Sequence, residues 1–206
     1  MLQSLLDRLA AQPAIWSWLR RFVEDGFVAE IEVIARELDP QRDPGQRRFI
    51  DFGCGTGDFA GSFPPASYTG FDLARHYVAH AGRVRQGSFA VMSGDRLGFT
   101  PASFDGGLVL GVFHHLPDTI VRASTAELHR VLRPGARLLV MEDIPSPRFW
   151  NVLGHLMHWL DRGDHIRSDD DYRALFAPQF VIERSYTVKS GICDLAVYVM
   201  TRADTP

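Results

Sequence analysis

The chain is almost without lysine. Lys189 is the only one among 22 basic residues, and the rest of the positive charge is arginine. No long basic run collects anywhere and the net charge is −3. The electrostatic footprint of a phosphate-backbone binder is therefore missing, and nucleic acid is not expected as a partner. Long apolar runs are missing too. The greasiest stretch, Phe149 to Leu160, is shorter than the roughly 20 residues that cross a bilayer, so no membrane span is expected. No charged start leads into an apolar run with a cleavage site, so no signal peptide is expected. Cysteine is limited to Cys54 and Cys193. A disulfide framework is not expected on that count, and a reducing, cytoplasmic setting fits. Repeats and low-complexity tracts are absent.

What remains is an ordinary globular composition, 46% apolar and 23% charged over 206 residues, enough for one domain with a full core. Residues 1–38 read as a helical arm, with Ile15, Leu19, Phe22, Phe27, Ile31, Ile34 and Leu38 at helical spacing. A polar Pro/Gly linker, Asp39 to Gly45, follows. Strands then alternate with helices. Strands are expected at 48–52 and near 68–72, 89–92, 106–111, 136–142, 180–186 and 193–201. Helices are expected near 57–62, 74–83, 119–132, 148–161 and 169–176. That alternation predicts an α/β fold: a seven-stranded, mostly parallel sheet with helices on both faces. The last two strands have no helix between them and should pair antiparallel. Ligands of such sheets sit beyond the carboxyl ends of the strands.

The densest chemistry lies where the first strand ends, in Asp51-Phe52-Gly53-Cys54-Gly55-Thr56-Gly57. Glycines at alternate positions let the backbone turn sharply and approach a ligand, and a helix start beyond them would offer N–H groups. Fifteen residues past Gly57 the second strand ends on Asp72, where a carboxylate can accept two hydrogen bonds from a ribose diol. The third strand runs into Ser93-Gly94-Asp95-Arg96, and the fourth into Gly111-Val112-Phe113-His114-His115-Leu116-Pro117-Asp118. Each feature has a structural alternative: a tight turn, a helix cap at Asp72, a solvated turn aspartate at Asp95, packed loop histidines.

Taken together these residues resemble the class I S-adenosylmethionine-dependent methyltransferases. Asp51, Gly53, Gly55 and Gly57 match the family's acidic-x-Gly-x-Gly-x-Gly pattern. The segment Phe104-Asp105 to His114-His115-Leu116-Pro117-Asp118 resembles the quinone-biosynthesis type that acts on small molecules. Val131-Leu132-Arg133-Pro134-Gly135 matches a structural turn of the same type. The resemblance covers roughly residues 47–143 and implies a Rossmann-like fold with its last strand antiparallel. It implies that Asp51, Gly53, Cys54, Gly55 and Gly57 hold the methionine end of S-adenosylmethionine. Asp72, with Leu73, would hold the ribose, and Gly94, Asp95 and Arg96 the adenine. Gly111, Val112 and Phe113 would flank the sulfonium. The arm 1–38 would act as a lid, and 144–206 as the substrate-side region.

The expected reaction is methyl transfer to an oxygen, nitrogen or carbon nucleophile of a small, partly apolar metabolite, by a monomer or homodimer. A general base is needed only where the acceptor must lose a proton. His115 is the first candidate. His155 and His158, sharing a helix face with Asn151 and Arg162, come next. That face, with Glu142, also has the spacing to hold a metal, although a solvated polar face is the preferred reading, and no metal is assigned. Glu142 and Asp143 end the fifth strand and are expected either to face the substrate or to cap a helix. His165 and Arg167 are candidates to meet an anionic substrate. Trp16, Trp18, Trp150 and Trp159 suit an apolar lid or the core. Two other readings use the same loop. One is a cofactor-binding protein that does not methylate, such as a cyclase. The other is a nicotinamide-dependent oxidoreductase using Gly55-x-Gly57-x-x-Ala60, which would need a catalytic tyrosine–lysine or similar pair. Lys189 sits late, between two strands.

Overall fold

The computed structural model describes residues 12–144, 165–177 and 179–203. Seven strands form one sheet: β1 (Phe49–Phe52), β2 (Tyr68–Asp72), β3 (Ser88–Val91), β4 (Phe104–Leu110), β5 (Leu132–Asp143), β6 (Phe180–Ser190) and β7 (Cys193–Arg202). Their spatial order is β3-β2-β1-β4-β5-β7-β6. Strands β1 to β5 pair in parallel, while β7 runs antiparallel to both β5 and β6. The strand order reverses between β1 and β4, which is where an open α/β sheet leaves a crevice.

The central strands are apolar on both faces because both are covered. On one face Ile50, Val109, Leu138, Val140 and Tyr198 pack with Val121 and Leu128 of helix α4 (Asp118–Val131) and Tyr172 and Phe176 of α5 (Asp169–Phe176). On the other, Phe49, Leu108, Leu139, Met141 and Val197 meet Phe27, Val33, Ile34 and Leu38 of the arm. Among the described residues the arm has two helices, α1 (Pro13–Val23) and α2 (Val28–Leu38). Helix α3 (Arg75–Val84) links β2 to β3.

Three local expectations are revised. The helix expected at 57–62 is a run of turns ending in a single 3-10 turn, Ala60–Ser62. Gly57 has φ +70, and Pro64-Pro65 close the segment before a helical turn can nucleate. The Pro134-Gly135 pair does not precede β5 but lies inside it. Leu132 already pairs with Phe104, and the register then shifts before Gly106 meets Arg137. Gly135, at φ +73, takes up that irregularity. The arm's buried stripe is turned from the expected one: Glu30 and Glu37 are buried, while Ile15, Phe22 and Ile31 are exposed. Glu37 is tied down by Tyr186 (2.8 Å), Arg36 (3.0 Å) and Arg184. Finally, the helix expected at 148–161, with Asn151, His155 and His158, lies outside the described residues, as do Trp150 and Trp159.

Candidate active site

The chemistry-bearing segments line up along the carboxyl edge of the sheet in strand order. The Asp95 turn follows β3, Asp72 ends β2, the glycine loop follows β1, residues 111–115 follow β4, and Glu142 and Asp143 end β5.

The loop after β1 is held in a left-handed conformation at three alternate positions, Gly53 (φ +70), Gly55 (φ +51) and Gly57 (φ +70), which only glycine adopts freely. Two of them face different surroundings. A Cβ at Gly53 would stand 2.6 Å from Val112 Cγ2, so the loop is pressed against the segment after β4. A Cβ at Gly55 would meet nothing within 4 Å, so that side of the loop is open ground. The N–H of Gly55 donates to Asp72 Oδ2 at 2.9 Å, and the N–H of Ala74 donates to Oδ1 at 2.7 Å. Asp72 thus bridges two backbone segments, while the N-cap position of α3 falls to Ala74, without a side-chain cap. The Asp72 carboxylate steadies the start of α3 and ties the glycine loop to the end of β2. Each oxygen keeps a further lone pair. Leu73 beside it is 73% exposed, an apolar side chain standing at the rim.

Asp51 and Cys54 lie deeper than their neighbours. Asp51 is buried and accepts the Tyr68 hydroxyl at 2.6 Å. Burial pushes its pKa up to about 7; the Tyr68 hydrogen bond opposes this, and the charges of Asp72 and Asp58 add to it. Cys54 is buried as well, and burial first, with the Asp51 and Asp72 charges, holds its thiol far above the ordinary range. It is a packing residue, not a nucleophile.

Asp58, one residue past Gly57, was not singled out in the sequence. It accepts the Thr56 hydroxyl at 2.7 Å and the Ser17 hydroxyl at 2.5 Å, and pairs with Arg85 at 2.6 Å. Through Ser17 it fastens α1 to the glycine loop. Gly94 is required by contact: a Cβ there would lie 2.1 Å from the Phe52 ring. That packing sets the β3 turn against β1 and leaves Asp95 and Arg96 exposed, with Asp95 accepting the Ser93 hydroxyl at 2.5 Å.

The segment after β4 is built around Glu142, which is fully buried. Its carboxylate accepts the backbone N–H groups of Val112 (3.1 Å), Phe113 (2.8 Å) and His114 (3.2 Å), and the His114 ring lies with Nδ1 at 2.7 Å. A carboxylate at the start of the 3-10 turn Phe113–His115 satisfies donors the turn itself leaves open. Glu142 therefore caps, and its partners come from another strand's loop. His114 is buried, whereas His115 is exposed, with ring centroids 4.0 Å apart. Gly111 (φ +63) makes the turn out of β4.

Arg167 does not stand open for an anionic substrate. Its guanidinium donates to Asp118 (2.9 and 2.7 Å), to the carbonyls of Phe113 (2.7 Å), His165 (3.0 Å) and Leu116 (2.5 Å), and is buried. The N–H of His165 donates to the His114 carbonyl at 3.0 Å. Residues 165–167 are a strap across 113–118. Among the described residues no group of three or more histidine, cysteine or acidic side chains is arranged to hold a metal, and no helix is long and apolar enough to cross a membrane.

A family model described as a methyltransferase domain matches residues 50–140. The chain is 29% identical over 187 residues to an O-methyltransferase, rstn1, of Aspergillus nomiae, covering 83% of this chain and 80% of that one. It is 31% identical over 115 residues to the ubiquinone/menaquinone biosynthesis C-methyltransferase UbiE of Desulfotalea psychrophila, covering 52% of this chain and 45% of that one. The chain thus spans about half the length of that relative. Among solved structures, magnesium protoporphyrin IX methyltransferase from Synechocystis, with bound S-adenosylhomocysteine, superposes with a TM-score of 0.69 at 18% identity, over 98% of this chain and 99% of that one.

Proposed function

We propose that the chain is a class I S-adenosylmethionine-dependent methyltransferase and that it methylates a small, partly apolar metabolite on oxygen, nitrogen or carbon, with a hydroxyl oxygen the first choice. The observation that carries the reading is the bridge from Asp72 to the Gly55 N–H, which sets a ribose-accepting carboxylate beside an open glycine turn. The residues fit the group: open space at Gly55, spare lone pairs on Asp72, and an exposed Leu73 ready to cover an apolar ring face. The glycine loop would take the methionine end, with Asp51 beneath it as a source of negative charge when ionised. Asp72 would take the ribose diol, and Gly94, Asp95 and Arg96 the adenine edge.

When bound, S-adenosylmethionine supplies a methyl group already activated on a sulfonium. The chain's own task is therefore to align the acceptor and exclude water. Gly111, Val112 and Phe113 would form the wall at the transferred group, kept rigid by Glu142. His115, the exposed member of the histidine pair, would take the acceptor's proton. His114, anchored through Nδ1, would support its ring. The oxygen preference rests on the O-methyltransferases among the relatives and on this base, which a phenol or alcohol needs. His155 and His158 remain second candidates for the same role.

Calorimetric titration with S-adenosylmethionine, S-adenosylhomocysteine and NAD tests the cofactor half. Micromolar heats for the two adenosyl ligands, weakened in Asp72→Ala, are expected. Binding of NAD alone would overturn the reading. Transfer of a labelled methyl group to a panel of small phenols, amines and carbon acids then separates the three nucleophiles, and no transfer to any would favour the non-methylating alternative.

A further inference from the structure

The joint of the arm combines three features that none of the roles above requires. Between α1 and α2, Asp25, Gly26 and Phe27 are all left-handed, with φ of 47, 71 and 65 degrees. Two of the three carry side chains, which disfavour that conformation. The joint is clamped from both sides. Phe27 is fully buried against Phe59, just past the glycine loop, at 5.1 Å between ring centroids, and beneath the Arg20 guanidinium at 5.3 Å. On the other side the tip of the β6–β7 hairpin presses on the arm backbone. A Cβ at Gly191 would lie 2.0 Å from the Val23 carbonyl oxygen, the Ile192 N–H donates to that oxygen at 3.3 Å, and the Ser190 hydroxyl donates to the Glu24 carbonyl at 3.0 Å.

The third feature is Glu30, in the first turn of α2. It is fully buried, and neither carboxyl oxygen has a hydrogen-bond partner among the described residues. The charged and titratable groups around it come from three elements. Arg20 of α1 pairs at 2.8 Å with Glu24, the residue that ends that helix, Cys193 opens β7, and Asp143 ends β5 near that thiol. Ser190 is also close, but its hydroxyl is committed to the Glu24 carbonyl. An unpaired carboxylate in such a place is costly, whereas the neutral acid is tolerated.

We propose that Glu30 is a proton-operated latch for the arm: protonated, it lets residues 12–38 lie docked across the glycine loop and the hairpin tip, and its ionisation favours the undocked arm. Consistent with this, burial pushes its pKa up to about 7, with the Glu24 charge adding to the shift and Ser190 opposing it. An undocked Glu30 would titrate near the ordinary 4.5. Docking is then strongest below that value, weakens as pH rises from about 4.5 to about 7, and levels off above. In that window the undocked population grows by up to about tenfold per pH unit. Because Ser17 and Phe27 reach Asp58 and Phe59, the latch would also set how often the donor site opens. That last consequence rests on the functional reading above; the latch does not.

The test is backbone hydrogen–deuterium exchange of the whole chain, without cofactor, at pH 5, 6, 7 and 7.5, corrected for intrinsic exchange chemistry. In the wild type, protection of amides 23–38 and 186–195 should fall more than tenfold between pH 5 and pH 7.5. Glu30→Gln, which keeps the neutral shape and cannot ionise, should be flat over that range and more protected at pH 7.5. Gly191→Ala should lose protection of the same amides at every pH, which identifies the docked contact independently. A flat wild type, or an equal pH slope in Glu30→Gln, overturns the latch. Failure of the methyltransferase reading would appear separately, in the ligand titrations.

Discussion

The ring of His114 and the carboxylate of Glu142 meet at 2.7 Å inside the protein, and the same carboxylate also gathers the N–H groups of residues 112 to 114. One side chain from the end of β5 therefore dictates the backbone path after β4. Removing it leaves several buried donors unserved at once. Glu142→Ala is expected to destabilise the fold by about 3 kcal/mol, as loss of a buried hydrogen-bonded charge does. Glu142→Gln, which keeps one acceptor, should lose less. Urea denaturation with a common slope would measure both, and a change under 1 kcal/mol in the alanine variant would contradict the bracing role.

Asp72→Asn retains an acceptor for Gly55 or Ala74 but gives up the charge. Thermal stability should shift little, while affinity for S-adenosylhomocysteine falls by roughly ten- to a hundredfold, the worth of charge-assisted hydrogen bonds. Calorimetry on the folded variant reads this directly.

The two glycines Gly53 and Gly55 should respond differently to alanine. Both have positive φ, so both substitutions strain the backbone. Gly53→Ala also drives a methyl group into Val112 and is expected to unfold at clearly lower temperature. Gly55→Ala points into open space; its main loss should be in ligand affinity. Melting curves with and without S-adenosylhomocysteine separate the two.

The pH dependence of stability has a definite sign at Asp51. Its folded pKa is raised from 3.8 to about 7. Between those values the folded chain holds a proton that the unfolded chain has released. The contribution of this group is thus fully present below about pH 4 and is lost as pH rises toward 7. Stability at pH 5 should exceed that at pH 7.5 by roughly 2 kcal/mol on this account, and Asp51→Asn should shrink the difference. An unchanged slope in that variant would place the titration elsewhere.

His115→Asn tests the base. A fall in kcat of about a hundredfold or more, with KM little altered, is the signature of a lost proton acceptor. A change in KM alone would make His115 a binding residue.

Much of the sheet was legible because its signals are local. The run Gly107 to Leu110 reads as a strand buried on both faces, and Asp72 announces itself as a polar end to an apolar strand. The glycine spacing between 53 and 57 carries its own geometric reason. Other features depend on distant partners. Nothing near Glu142 reveals that its donors lie about 30 residues earlier, so its role stayed divided between cap and pocket. Arg167 looked like an anion clamp because arginine's donors are the same whether a ligand or three carbonyls accept them. The arm's buried face was misread for a related reason. Helical spacing counts apolar side chains, and Glu37 is buried only because Arg184 and Tyr186, far along the chain, meet it. Glu30 did leave a trace, an acid three residues past Phe27 on the stripe that includes Ile34. Its meaning needed the hairpin.

The position of β7 between β5 and β6 has a consequence for how the protein is made. Chain synthesis runs from the amino end, so β1 to β5 emerge with β5 still an open edge, and β6 emerges with no neighbour in the sheet. Only when Cys193–Arg202 leaves the ribosome can the gap be closed, by a strand that zips to both sides at once. Until then the apolar edge of β5 is available to any other extended chain. The nascent protein is therefore most exposed to wrong pairing in the interval between the emergence of β5 and that of β7.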